Sequence, residues 1–201
     1  MFLLGKLHHE VVFQRRVRAL VRALSPLLEG GDVLDVGSGN GMLSHLIMQQ
    51  RPDVKISGLD VHLREESYVP TVHYDGQTIP YPDGSFSRVM LVDVLHHTDD
   101  PVHMLRECLR VSRKGVVVKD HFYSNPFEYQ MLRFLDWVGN APHGVRLPYN
   151  YFTRTQWAAY LQTSKCYEIQ LMNAVPHMYP PFFQQLIGQR IQFVAQLGKL
   201  A

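Results

Sequence analysis

Cysteine is scarce: the chain has only Cys108 and Cys166. Two thiols so far apart in sequence neither staple a fold nor form a metal knuckle, so both are expected reduced and buried or half-buried. Long apolar runs are missing too. None approaches the roughly 20 residues of a membrane-spanning helix, and the first residues lack the apolar core and small-residue cleavage site of a secretory signal. A cytoplasmic protein with no stable membrane insertion is therefore expected. Charge of one sign is also absent: 20 Lys and Arg against 18 Asp and Glu leave a formal net charge of +2, far from the basic face that nucleic acid demands. Eleven histidines are present, yet no H-E-x-x-H and no close Cys/His set occurs, so no metal is expected. Internal repeats and low-complexity segments are lacking as well.

What remains is an ordinary globular composition, 46% hydrophobic over 201 residues, which suits one domain spanning 1–201. Its organising stretch is VLDVGSGNGMLS, Val33 to Ser44. Val33, Leu34 and Val36 around Asp35 read as a short buried strand; Gly37, Gly39 and Gly41 follow at alternate positions before an apolar-periodic helix. Glycines serve such a turn because it needs positive φ and because a side chain would keep the backbone from a ligand. A dinucleotide site would show G-x-G-x-x-G. Its third glycine would fall at Met42 or Ser44, so that pattern fails. An acid inside the strand, at Asp35, suits a cationic ligand rather than a pyrophosphate.

Elsewhere the periodicity predicts a helix from Leu7 to Leu24, within an N-terminal segment of residues 1–28. Val12, Val17, Leu20, Val21 and Leu24 lie on one side and Arg15, Arg16, Arg18 and Arg22 largely on another. Packing on the sheet with a solvated cationic face is the expected role; weak peripheral contact with a membrane is the alternative. A crossover helix Met42–Gln50 and a strand Val54–Leu59 follow. Asp60 lies 19 residues beyond Gly41, close to the offset at which an acid takes two ribose hydroxyls, and Val61 can pack on an adenine. Further strands are expected at Thr71–Tyr74, Arg88–Val92, Gly115–Lys119, Glu168–Val175 and Arg190–Leu197. Helices are expected at Pro101–Val111, capped by Asp99 or Asp100, at Asn125–Val138, and at Thr153–Leu161, capped by Thr153.

The D-x-G-x-G-x-G of Asp35 to Gly41 resembles the first motif of class I S-adenosylmethionine (SAM) dependent methyltransferases. Residues 75–86, DGQTIPYPDGSF, resemble a second motif of that family, departing from it only at the following position, where Ser87 stands for Asp. Leu95-His96-His97 resembles the x-L-H-H of the small-molecule, ubiquinone/menaquinone methyltransferase-like group. The absence of N/D-P-P-Y after the fourth strand argues against nucleobase-modifying relatives. The resemblance implies a Rossmann-like α/β fold: a seven-stranded methyltransferase sheet, mostly parallel with the last strand antiparallel, and helices on both faces. SAM is the implied cofactor, held in residues 29–120 by Asp35, Gly37, Ser38, Gly39, Asn40 and Gly41, by Asp60 and Val61, by Asp75 and Gly76, and by Asp93.

That topology also implies that residues 121–152 and 176–189 lie over the cofactor edge as a substrate lid, with His121, Tyr123, His177 and Tyr179 lining it. His96 and Asp120 then end adjacent strands. A neutral hydroxyl or acidic carbon must lose a proton before it takes a methyl group, so His96 is expected as base, with Asp120 orienting it and His97 beside it. The expected partner is a small, partly apolar molecule, methylated on oxygen or carbon, and not a nucleic acid. Two rivals stand beside this reading: a methyltransferase-fold partner protein without catalysis, and a NAD-type oxidoreductase, which the glycine spacing disfavours.

Overall fold

The structure, a computed structural model, describes residues 15–140, 147–172, 174–178, 185 and 191–200. Seven strands form one sheet: β1 (Gly31–Val36), β2 (Val54–Asp60), β3 (Thr71–His73), β4 (Arg88–Val92), β5 (Val116–His121), β6 (Cys166–Met172) and β7 (Gln192–Lys199), in the order β3-β2-β1-β4-β5-β7-β6. β1 through β5 pair in parallel, while β7 runs antiparallel to both β5 and β6. This is the Rossmann-like sheet that the resemblance implies, with its last strand reversed. Helix α1 covers residues 15–24 among those described. It is followed by α2 (Met42–Gln50), α3 (Pro101–Val111), α4 (Pro126–Asn140) and α5 (Arg154–Thr163).

Successive strand residues point to opposite faces, and both faces are covered, which is why these strands read as nearly continuous apolar runs. Val33, Met90, Val117 and Val194 pack with Val17, Leu20 and Leu24 of α1 and Ile47 of α2. Their neighbours Leu34, Val89, Leu91, Val116 and Val118 pack on the other side with Leu105 and Leu109 of α3 and Trp157 and Leu161 of α5. Both cysteines are free and buried, as expected. Among the described residues no helix is long and apolar enough to cross a membrane.

Local signals set the helix starts. The Asp100 carboxylate accepts the His103 N–H at 2.9 Å, and Pro101 opens α3. Thr153 and Gln156 satisfy each other's backbone in a capping box at the start of α5. At Ser87, the departure from the family motif, the hydroxyl donates to the Asp32 carbonyl at 2.6 Å, joining two parallel strands rather than facing a ligand.

Several boundaries differ from the sequence expectation, most by one or two residues. β5 runs on to His121 because β7 supplies a partner for it, Asp120 opposite Phe193 and His121 opposite Gln192. β6 starts earlier, at Cys166, and stops at Met172, because Val175 and Met178 leave the sheet for the α1 side of the core. Arg16 is not simply part of a solvated face, since it reaches Asp93 beyond β4.

At the start of β5, Gly115 has φ of 109°, and a Cβ there would overlap the Leu197 carbonyl oxygen of β7. Gly115→Ala is expected to destabilise the protein by about 2–4 kcal/mol through backbone strain and overpacking. A urea midpoint unchanged from wild type would contradict this.

Candidate active site

β1, β2, β4 and β5 all end at one edge of the sheet, where open α/β sheets bind ligands. There the glycine turn leaves β1 with Gly37, Gly39 and Gly41 at φ of 74°, 59° and 73°. Gly37 lies against Val94, and Gly41 against Val69, so neither has room for a side chain; a Cβ on Gly39 would meet nothing within 4 Å and would project into open space. The turn is pinned by Asp60 at the end of β2. Its Oδ2 accepts the Gly39 N–H at 2.7 Å, and its Oδ1 accepts the His62 N–H at 2.8 Å. Each oxygen keeps lone-pair capacity for a further donor.

Asp35 sits one layer behind. It is buried, accepts from the Ser44 hydroxyl at 2.5 Å, and borders a smaller cavity of about 140 Å³ beneath the turn with Gly37, Ser38 and Asn40. Burial, with the Asp60 charge adding to it, pushes the Asp35 carboxyl up to about 7. A buried carboxyl group beside an open cavity suits a cationic group on a ligand.

The main cavity, about 550 Å³, runs from the glycine turn to the ends of β4 and β5. Ser38, Gly39, Asn40, Asp60 and Val61 line its first part; Asp93, His96, His97 and His121 line the second, with Leu132, Leu135, Asp136 and Tyr151 above. Asp93, at φ of 58°, is clamped by Arg16 of α1 and by Lys119, a fully buried lysine in β5. Burial opposes charge on Asp93, but these two cations outweigh it and hold the carboxyl well below its usual range.

Beyond Asp93 a single 3₁₀ turn, Leu95–His97, carries His96 into the core. Its Nδ1 lies 2.6 Å from Asp120 Oδ1, and its backbone N–H also faces that carboxylate. The ring stacks on Tyr151 at 5.0 Å and turns Nε2 toward Asp136 Oδ2 at 3.8 Å. Burial disfavours its charge, yet Asp120, with Asp136 and Asp93 in support, pushes His96 up to about 9. An imidazole so held donates rather than accepts near neutrality, so the base role expected of it requires that proton to be displaced first. Burial and the neighbouring His96 lower His97; burial and Lys119 lower His121 to about 4. Tyr151 is fixed above them because its hydroxyl donates to Asp136 at 2.9 Å and Asn150 bonds to His96 and Thr98.

The glycine cradle, a carboxylate at the end of β2, the buried acid beneath the turn and the 550 Å³ cavity together fit SAM. Over residues 8–167 the chain matches the methyltransferase-domain family. It belongs to that family. Among curated members it is 30% identical over 113 residues to the 27-O-demethylrifamycin SV methyltransferase of Amycolatopsis mediterranei, a match covering 50% of this chain and 41% of that one. It is 27% identical over 171 residues to a ubiquinone biosynthesis O-methyltransferase of Xanthomonas campestris, covering 77% of this chain and 69% of that one. The chain thus spans less than half of the first of these relatives. A solved Burkholderia thailandensis 1,6-didemethyltoxoflavin-N1-methyltransferase, with S-adenosylhomocysteine bound, shares the fold at a TM-score of 0.66 and 17% identity, covering 100% of this chain and 86% of that one.

Within this methyltransferase domain the expected residues fall into three groups. Gly37, Ser38, Gly39, Asn40, Asp60, Val61, Asp93, His96, His97 and His121 border the main cavity, with Gly41 closing the turn and Asp120 directly behind His96. Asp75 and Gly76 do not border it: Gly76 packs on Val61, which does, and exposed Asp75 caps its own turn through the N–H groups of Gln77 and Thr78. Tyr123 packs instead against Tyr129 at 5.0 Å. The exposed His177 lies at the α1 side, its carbonyl accepting from Arg15, so neither residue borders the cavity. Tyr179 lies outside the described residues, as does most of segment 176–189. Sequence reasoning missed Arg16, Lys119, Asp136 and Tyr151. Of these only Lys119 left a signal, a charge inside an otherwise apolar strand.

The raised Asp35 carboxyl makes a signed prediction. A folded-state value near 7 against an ordinary 3.8 means that folding favours the neutral acid. The ligand-free protein therefore gains stability as pH falls through 7, and carries the full cost of the charge above it. Asp35→Asn, which still accepts from Ser44, should raise the ligand-free melting temperature at pH 8 by roughly 5–10 °C. The advantage should shrink below pH 7 and vanish near pH 4, while SAM binding is lost. Equal melting curves at pH 8 would refute it.

Proposed function

We propose that this domain transfers a methyl group from SAM to a small, partly apolar molecule, with oxygen or carbon as acceptor. The observation that carries the reading is the continuity of one cavity from the glycine cradle to the His96–Asp120 pair. SAM, when bound, supplies an electrophilic methyl group on a sulfonium sulfur. Gly39 leaves the space for the cofactor, Asp60 offers oxygens to its ribose, Asp75, next to the Gly76 that packs on Val61, takes the adenine amino group, and Asp35 answers its cationic amino-acid end. What the chain adds for the acceptor is alignment and exclusion of water. Leu132, Leu135 and Tyr151 form an apolar cover with few polar groups, which supports the substrate-lid role for α4 and residues 147–152. His96, oriented by Asp120, is the acceptor-facing group. The near-neutral charge supports a small molecule over nucleic acid. The names of two relatives, a 27-O-demethylrifamycin SV methyltransferase and a ubiquinone biosynthesis O-methyltransferase, favour oxygen. The retained cradle argues against a partner protein that has lost the cofactor.

SAM and S-adenosylhomocysteine should raise the melting temperature with the logarithm of ligand excess. Gly39→Val should abolish that shift, and Asp60→Ala should weaken binding by roughly 1–3 kcal/mol. No shift with either ligand at millimolar concentration would end the proposal. Steeply salt-dependent binding to RNA or DNA would overturn the substrate class.

With an accepted substrate in hand, His96→Ala should lower kcat by about 10²–10⁴ and leave the SAM-induced shift in place. Full turnover in that variant would leave alignment alone as the mechanism.

A further inference from the structure

The far end of the cavity holds a donor set in which His96 is joined by His97 and Asp136, two residues to which the proposed mechanism gives no part. His96 Nε2 faces Asp136 Oδ2 at 3.8 Å, and His97 Nε2 faces the other oxygen of the same carboxylate, Oδ1, at 3.6 Å. The donor atoms of the three residues all lie within 4.8 Å of one another. Two donors that share one first-row ion stand roughly 3–3.5 Å apart, given bond lengths near 2.0–2.2 Å, and the two histidine–carboxylate separations of 3.8 and 3.6 Å lie a few tenths of an ångström beyond that. A second trio, His96, Asp120 and His121, also converges. There the 2.6 Å between His96 Nδ1 and Asp120 Oδ1 is a hydrogen bond with no room for an ion. That bond serves the first trio: a ligating histidine is normally fixed by a carboxylate at its other nitrogen, which leaves Nε2 free to bind. Tyr151 holds the Asp136 carboxylate in turn, its hydroxyl at 2.9 Å. All three donors border the main cavity, so one side of an ion placed among them would face the space for the acceptor.

We propose that His96, His97 and Asp136 form a divalent-cation site, positioned by Asp120 and Tyr151, which holds a hydroxyl oxygen of the methyl acceptor. Two imidazoles and one carboxylate suit Zn²⁺, Co²⁺, Fe²⁺ or Mn²⁺ better than Mg²⁺, which keeps to oxygen ligands. On coordination the acceptor O–H bond breaks, its electron pair stays on the oxygen, and the proton passes to solvent water, so a metal-held oxyanion faces the cavity. The role assigned to the ion rests on the methyltransferase reading above and narrows it to hydroxyl acceptors. The sequence offered no such site because Asp136 lies on α4, forty residues from the histidine pair.

The test is a titration of chelator-treated protein with Co²⁺, read by metal content and by the visible spectrum of the bound ion. One Co²⁺ per chain is expected, with the spectrum of nitrogen and oxygen ligation, displaced by Zn²⁺. His97→Gln and Asp136→Asn should each weaken binding tenfold or more. Asp120→Asn, which touches no ion, should weaken it by about 10–100-fold, and exposed His103→Gln should change nothing. His97 is partly exposed and its replacement should fold even where Asp136→Asn does not. Absence of saturable Co²⁺ and Zn²⁺ binding, or binding indifferent to His97→Gln, overturns the site. The SAM-induced shift, measured on the same metal-free protein, reports separately. A shift without Co²⁺ binding overturns the metal site alone; Co²⁺ binding without a shift overturns the methyltransferase reading alone.

Discussion

A lysine ammonium with no access to water must have a counter-charge, and the far half of this site depends on how Lys119 finds one. Its partner is Asp93, just past β4, which Arg16 of α1 clamps from the opposite side. Leaving either charge unpaired at that depth would cost several kcal/mol. The pairing therefore fixes Asp93 in a left-handed conformation that a non-glycine residue otherwise avoids. That turn sends the chain at once into the 3₁₀ segment carrying His96 and His97. Asp120, next to Lys119 on β5, is thereby placed against His96. One buried ion pair thus joins α1, β4 and β5 and sets the histidines at the sheet edge.

The near half is held by a different device. Asp60 spends one hydrogen bond from each oxygen on backbone N–H groups, so the glycine turn and the end of β2 move as one body. Neither device uses the residues of the other, and the cavity spans both. A substitution in the cradle should therefore alter cofactor binding without disturbing the histidines, and the reverse should hold at the Lys119 end. Additivity of this kind is the usual behaviour of sites that share no partner.

How much of this was legible in the sequence follows from the range of each interaction. The glycine turn, Asp60 at its offset, the Asp100–Pro101 start and the Thr153 box are local or obey a fixed spacing, and the strands are apolar runs. The strand, turn and helix-start readings carried over with small boundary shifts, and Asp60 stands at the end of β2 beside the turn. The shifts at β5 and β6 come from pairing with β7, which no local pattern reports. Arg16, Asp136 and Tyr151 escaped notice because each meets the site from a separate element, and a charge on a helix reads the same whether it faces solvent or a buried partner. The topology implies lid places for His177 and Tyr123, but the His177 carbonyl meets Arg15 of α1 and Tyr123 packs on Tyr129, contacts that strand order does not report.

The reversed strand β7 lies between β5 and β6, although it is the last of the seven in the chain. Until it arrives, β5 is an open edge, and Asp120 and His121 have no ladder partner opposite them. The glycine turn, β1, β2 and β4 need nothing from β7 for their own pairing. During synthesis the two ends of the cavity therefore mature at different times, the nucleoside-facing cradle first and the histidine chamber last. A chain stalled between β5 and β7 would be a receptacle with one wall missing, open along the edge that β7 later closes.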